Sequence, residues 1–141
     1  MGYSDVTSLL LAVTKMTGLI TFYGPMFVPE FGSSADDFTK DFLQNFLFSR
    51  TFTDFPLYNT KKEKKKIVFS KGKAAGELIG GCLSLIVSTL GTPYEIDTKG
   101  KIFFFEEIGE APYRIDHFLT HLINAGKIQE SVTNHLSFYQ I

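Results

Sequence analysis

The sequence predicts a mixed α/β fold, and three observations carry that prediction. From Val6 to Met16, the apolar residues Val6, Leu9, Leu10, Val13 and Met16 recur at helical spacing. From Lys101 to Glu106, Ile102, Phe103, Phe104 and Phe105 form an unbroken apolar run, the pattern of a strand covered on both faces. Along the whole chain the patterns run helix, strand, helix, loop, strand, helix, strand, helix, which favours α/β over an all-α or all-β architecture.

Taken in order, Ser4 or Asp5 can cap the first helix, and Gly18 ends it. Leu19 to Tyr23 reads as a short buried strand closed by Gly24-Pro25, and Met26 to Gly32 as a loop containing Pro29. Ser33 or Ser34 is placed to cap a second helix over roughly Ala35 to Phe48, with Phe38, Phe42, Leu43 and Phe46 on one face. Residues 49–60 are irregular. Lys61-Lys62-Glu63-Lys64-Lys65-Lys66 holds five lysines in six residues; it reads as a solvated loop or hairpin flank, with an anionic contact as the functional alternative. Ile67 to Phe69 suggests a strand. A glycine-rich stretch from Gly72 to Gly81 leads into a short helix from Cys82 to Leu90, ended by Gly91-Thr92-Pro93. Asp116 to Ala125 reads as a helix stopped by Gly126, and Ser131 to Ile141 shows no clear periodicity.

Composition sets the class. At 141 residues and 44% hydrophobic content the chain can build a real core; a domain of this size buries roughly 68–70% of its unfolded surface. A net charge of −1 gives no global field toward nucleic acid or membrane. The chain has fifteen Phe, six Tyr and no Trp, and fifteen Phe in so short a chain predict a core that expects many partners, more than this chain supplies. The single Cys82 excludes an intramolecular disulfide and fits a reducing compartment. Leu9 to Val13 is apolar but lacks a basic flank, and no window reaches ~20 apolar residues, so neither a signal peptide nor a membrane span is expected and the cytoplasm is the default location.

Several residues could carry chemistry. Ser4 follows Gly2 on a tight turn before a helix, whose N–H groups and positive dipole end would face the serine oxygen, as in a nucleophile elbow. The segment is not G-x-S-x-G, because Val6 stands second after Ser4; the plainer reading is a helix cap. Glu106 ends the apolar strand, where α/β folds place functional groups, and a carboxylate there can orient a histidine; the plainer reading is a solvated acid. Glu107 and Glu110 follow, but adjacent residues of an extended segment face opposite ways, which argues against glycosidase-like carboxylate pairing. His117 and His121 have the spacing of shared metal ligands on a helix, yet no H-E-x-x-H pattern accompanies them. Cys82 after Gly80-Gly81 is a nucleophile candidate at a helix start or, more simply, a small buried residue.

Four segments, in order and at fitting spacing, resemble the LD-carboxypeptidase family, which also contains the microcin C immunity proteins. They are Gly2-Tyr3-Ser4-Asp5-Val6-Thr7 with Leu9; Gly18-Leu19-Ile20-Thr21-Phe22-Tyr23-Gly24-Pro25-Met26; Gly80-Gly81-Cys82-Leu83-Ser84-Leu85 with Gly91-Thr92-Pro93-Tyr94; and Lys101 to Glu107, continuing through Glu110, Pro112-Tyr113-Arg114-Ile115-Asp116 and Ala125-Gly126-Lys127. The resemblance covers about residues 1–130. It implies a serine peptidase with a Ser-His-Glu triad, a cytoplasmic enzyme of peptidoglycan recycling that removes terminal D-alanine from an L,D-linked murein tetrapeptide. The immunity branch hydrolyses a different amide, in a peptide-nucleotide antibiotic. Ser4 matches the family nucleophile, Glu106 the triad glutamate and the Asp5 backbone N–H one oxyanion-hole donor. No metal or organic cofactor is implied.

The same resemblance predicts a chain cut at both ends, spanning the nucleophile turn and most of the C-terminal α/β domain. Residues 1–60 would hold the nucleophile turn, its helix, the rest of the N-terminal domain and the connection; 61–130 the catalytic α/β portion; 131–141 an unmatched tail. The family histidine comes from later sequence, His117 stands at an arginine position, and His135 lies too early to be the base. A serine hydroxyl without a base is a poor nucleophile, so the chain alone is expected to be inactive, with Phe103 to Phe105 and the Leu9 to Val13 face exposed for self-association or for a complementary N-terminal fragment. A muropeptide is the expected ligand. The alternatives are one piece of a split enzyme, a non-catalytic muropeptide-binding remnant and a microcin C immunity-type peptidase.

Overall fold

The computed structural model describes residues 1–26, 36–48 and 71–139. The expected Ile67–Phe69 strand, the Lys61–Lys66 run, the irregular 49–60 stretch and most of the Pro29 loop lie outside that set. Met1–Pro25 and Lys73–Ile141 form one compact unit, and Met26–Gly72 forms a second.

In the first unit a 3-10 turn, Ser4–Val6, leads into helix α1, Thr7–Thr17. As expected, Gly18 closes α1 in the left-handed conformation (φ +70), its N–H donating to the Thr14 carbonyl. The buried face differs from the expected one. Thr7, Leu10 and Leu11 are buried, whereas Leu9 is 63% exposed and Met16 64% exposed. Thr14 continues this face and shares a 2.9 Å hydroxyl–hydroxyl hydrogen bond with Thr21. The stripe is therefore half threonine, and hydropathy alone set it about one residue off.

Leu19–Tyr23 is not a buried strand. It is an extended return whose pairing among the described residues is one parallel bridge, Gly2 with Tyr23, with Gly2 N–H donating to Phe22 O (3.1 Å) and Gly24 N–H to Gly2 O (3.0 Å). Ile20 is 83% exposed. In the second unit, helix α2 spans Asp37–Phe48. Ser33 and Ser34 lie outside the described residues, and the cap is made by Asp36, whose Oδ1 accepts the Thr39 N–H at 2.8 Å. Phe38, Phe42 and Phe46 stack along one face at 6.0 and 6.1 Å between ring centroids.

The first unit continues with strand β1, Leu78–Cys82, helix α3, Leu83–Ser88, strand β2, Ile102–Ile108, helix α4, Pro112–Asn124, helix α5, Lys127–Glu130, and strand β3, Thr133–Tyr139. Among the described residues the sheet has the order β1-β2-β3 and is parallel throughout, with Cys82 opposite Glu106 and Phe104 opposite His135. Two elements depart from expectation. The tail, expected to be patternless, supplies β3. The glycine-rich stretch supplies β1 where only a lead-in to a helix was expected, because glycine depresses strand propensity. Here the glycines are what let the strand fit. A Cβ on Gly80 would lie 1.7 Å from the Phe104 carbonyl oxygen, and one on Gly81 2.6 Å from Thr7 Cγ2.

The core is built from Leu11, Leu83, Ile86, Ile96, Phe103, Phe105 and Leu122, with Ile115, Phe118 and Leu119 of α4 packed against it. The expectation that Phe103 to Phe105 would lie exposed is therefore wrong: Phe103 and Phe105 are buried within this chain, Phe104 is half-buried, and Leu10 and Leu11 of the expected exposed face are buried too. β2 is sealed on one face by Phe103, Phe105 and Glu107, while Ile102, Phe104 and Glu106 are half-buried on the other. Among the described residues no helix is long and apolar enough to cross a membrane.

Candidate functional site

The site grows from the first seven residues. Gly2 is pinned by its bridge to Tyr23, Tyr3 is extended (φ −140, ψ −179), and the chain then reverses at Ser4. Ser4 has φ +56 and is, among the described residues, the sole non-glycine residue with positive φ. That conformation costs a side-chain-bearing residue on the order of 1–3 kcal/mol and persists where surrounding contacts enforce it. The contacts are visible: Thr7, fully buried, accepts the Cys82 N–H on Oγ1 at 3.0 Å and occupies the space Gly81 leaves free. The start of α1 is thereby fastened to the end of β1.

The capping role expected for Ser4 or Asp5 is absent. The N-cap of α1 is Val6, and no side-chain cap hydrogen bond is made there or at the preceding turn. Ser4 is half-buried; Asp5 is exposed, and its N–H meets no acceptor among the described residues. Glu106 is not a solvated strand-end acid either. β2 runs on to Ile108, and Glu106 stands inside it, half-buried, opposite the last residue of β1.

One side chain joins the two. The Ser4 N–H donates to the Tyr23 hydroxyl at 2.9 Å, and that hydroxyl donates to Glu106 Oε1 at 2.5 Å. The second bond runs from a phenol O–H to a carboxylate oxygen. The Tyr23 ring stands edge-on to Phe104 at 5.6 Å. Burial pushes the Tyr23 hydroxyl well above the usual tyrosine range, the bond to Glu106 pushes the same way, and the Ser4 amide opposes it. Tyr23 thus stays a proton donor across the ordinary pH range.

With this geometry in place, residues 75–132 match the LD-carboxypeptidase C-terminal domain. The probable murein peptide carboxypeptidase of Bacillus subtilis is 43% identical over 130 residues, which is 92% of this chain and 40% of that protein. The chain belongs to the LD-carboxypeptidase family. The crystal structure of muramoyltetrapeptide carboxypeptidase from Oxalobacter formigenes superposes with a TM-score of 0.76 at 27% identity, over 98% of this chain and 46% of that one. The microcin C7 self-immunity protein MccF of Escherichia coli is 28% identical over 144 residues, covering 86% of this chain and 42% of that protein. The chain spans about 40% of the length of the curated relatives it matches.

The remaining candidates of this LD-carboxypeptidase chain resolve into structure. Glu107 points away from Glu106, is buried, and accepts the Ser84 N–H at 2.9 Å and the Ile108 N–H at 3.1 Å, so the two carboxylates share no site. Glu110 pairs with Arg114 at 2.6 Å. Cys82 is 4% exposed, lies 3.6–3.7 Å from the Glu107 carboxylate, and has its thiol pushed up by burial, the opposite of an activated thiolate. His117 and His121 are exposed on α4, and among the described residues no cluster of three metal-ligating side chains forms. The backbone of His135 pairs with Phe104 in β3. Neither His117 nor His121 hydrogen-bonds to Ser4 or Glu106. No sequence pattern marks Tyr23 for a role. Its one signal was the Tyr23-Gly24-Pro25 run, where a tyrosine precedes a chain reversal.

Proposed function

We propose that this chain carries the nucleophile segment of a serine LD-carboxypeptidase that hydrolyses the L,D-amide releasing terminal D-alanine from murein tetrapeptide, as part of cytoplasmic peptidoglycan recycling. The observation that carries this reading is the left-handed turn at Ser4, held one tyrosine hydroxyl away from the Glu106 carboxylate. A serine that neither caps its helix nor relaxes its backbone is poised for something other than local stability.

In this reading the Ser4 hydroxyl attacks the amide carbonyl carbon, and a histidine takes its proton. The tetrahedral intermediate places its oxyanion near the Asp5 N–H at the positive end of the helix start. The histidine then protonates the departing amine of D-alanine, and water hydrolyses the Ser4 ester by the reverse sequence. Glu106 orients the histidine and stabilises its cation. His117 and His121 are exposed on α4, away from this role, and the reading requires a histidine, because a serine hydroxyl without a base is a poor nucleophile.

The resemblance to a microcin self-immunity protein supports a second substrate class, an amide in a peptide–nucleotide conjugate. The test is D-alanine release from murein tetrapeptide set beside hydrolysis of an aminoacyl sulfamoyl nucleoside, each with wild type and Ser4→Ala. Release of D-alanine that Ser4→Ala abolishes supports the carboxypeptidase. Ser4-dependent hydrolysis of the nucleoside conjugate alone supports the second class.

A further inference from the structure

We infer that Tyr23 is a positioning residue that locks the Glu106 carboxylate to the Ser4 turn, fixing nucleophile and triad acid as one unit. The inference rests on the Ser4–Glu106 reading above and adds to it a residue that the triad does not contain.

Three independent ties hold Tyr23 in that place. Its backbone is bridged to Gly2, two residues before Ser4. Its ring lies edge-on against Phe104, two residues before Glu106 on the same face of β2. Its hydroxyl takes the Ser4 N–H and gives its own proton to Glu106 Oε1. Together the ties join two elements, the N-terminal turn and β2, which are about a hundred residues apart in sequence and which no ladder pairs directly among the described residues.

The chemistry of the hydroxyl fits the task. The N–H of a residue in the left-handed conformation at a turn lies outside any helix ladder and needs an acceptor. A phenol can accept there and donate elsewhere, which phenylalanine cannot. The donated bond occupies Oε1, leaving Oε2 as the Glu106 oxygen without a partner among the described residues. A histidine bound there would meet a carboxylate already fixed in rotation. Because the hydroxyl remains protonated far above neutrality, the clamp does not open as pH changes through the working range of a histidine base.

The test is a double-mutant cycle read at the Ser4 amide. In ¹⁵N-labelled protein, Glu106→Gln removes the charge and keeps the shape. It should move the Ser4 N–H resonance in the wild-type background and leave it unmoved in the Tyr23→Phe background, because the effect travels through the hydroxyl. An equal shift in both backgrounds, or none in either, overturns the inference. Tyr23→Phe should also speed hydrogen exchange of the Ser4 amide about tenfold or more. In D-alanine release, Tyr23→Phe should lower kcat about tenfold with KM within twofold; full retention of kcat would count against a positioning role. The Ser4→Ala control separates the two levels. If release survives Ser4→Ala, the nucleophile reading fails whatever the cycle shows. If Ser4→Ala abolishes release while the cycle shows no coupling, Tyr23 alone is wrong.

Discussion

Glu106 and Glu107 are chemically identical neighbours on one strand, and they meet opposite surroundings. Glu107 faces the buried side with Phe103 and Phe105, where backbone N–H groups of α3 and β2 and the Cys82 thiol surround it. Glu106 faces the half-buried side with Phe104, where one tyrosine hydroxyl meets one of its oxygens. The pleat assigns one carboxylate to holding the fold and leaves the other available for chemistry. The same division runs through the two faces as a whole: the core face is closed by this chain's own side chains, and the other face carries Tyr23 and the strained serine.

Perturbing both faces sharpens the contrast. Phe103→Ala should destabilise the protein by about 3–5 kcal/mol, and Phe104→Ala by about half that or less, in proportion to the area buried; equal costs by chemical denaturation would erase the distinction. Glu107→Ala leaves the Ser84 and Ile108 N–H groups without their acceptor and should cost about 1–3 kcal/mol. Glu106→Gln, which retains an acceptor for Tyr23, should cost less than about 1 kcal/mol. Gly81→Ala forces a Cβ against Thr7 at a φ of +150 and should cost about 1–3 kcal/mol, while also displacing the Ser4 turn.

The smallest effect lies away from both faces. Glu95 is held below its usual range by the Lys127 ammonium and then by the Gly91 N–H. A depressed carboxyl contributes stability above its unfolded pKa and loses it as pH falls through the folded value. Glu95→Gln should therefore cost under about 1 kcal/mol at pH 7, after screening of a partly exposed pair, and the difference from wild type should shrink as pH falls below the ordinary glutamate range and vanish below the depressed folded value. A difference that persists there would mean that packing, not charge, is what the glutamate supplies.

Much of this was legible in the residues. The α1 stop at Gly18, the run that becomes β2 and the helix before Gly126 follow from periodicity and glycine. So does the opposed orientation of Glu106 and Glu107, which period-two alternation requires. Other parts were hidden for physical reasons. The buried face of α1 includes Thr7, a residue that counts as polar until its hydroxyl is seen accepting the Cys82 N–H. β1 carries two glycines whose value lies in the atoms they lack. Leu19–Tyr23 had strand composition but, among the described residues, little to pair with. Tyr23 was invisible because its role depends on bringing together segments 83 residues apart, which no local pattern encodes.

The most direct test of the central claim is D-alanine release from murein tetrapeptide, comparing the protein with its Ser4→Ala variant. Where a histidine base serves Ser4, the account predicts release that falls by about 10³-fold or more in Ser4→Ala, with the fold unchanged by circular dichroism. Release at the wild-type rate from Ser4→Ala would contradict it, and the strained turn at Ser4 would then need another explanation.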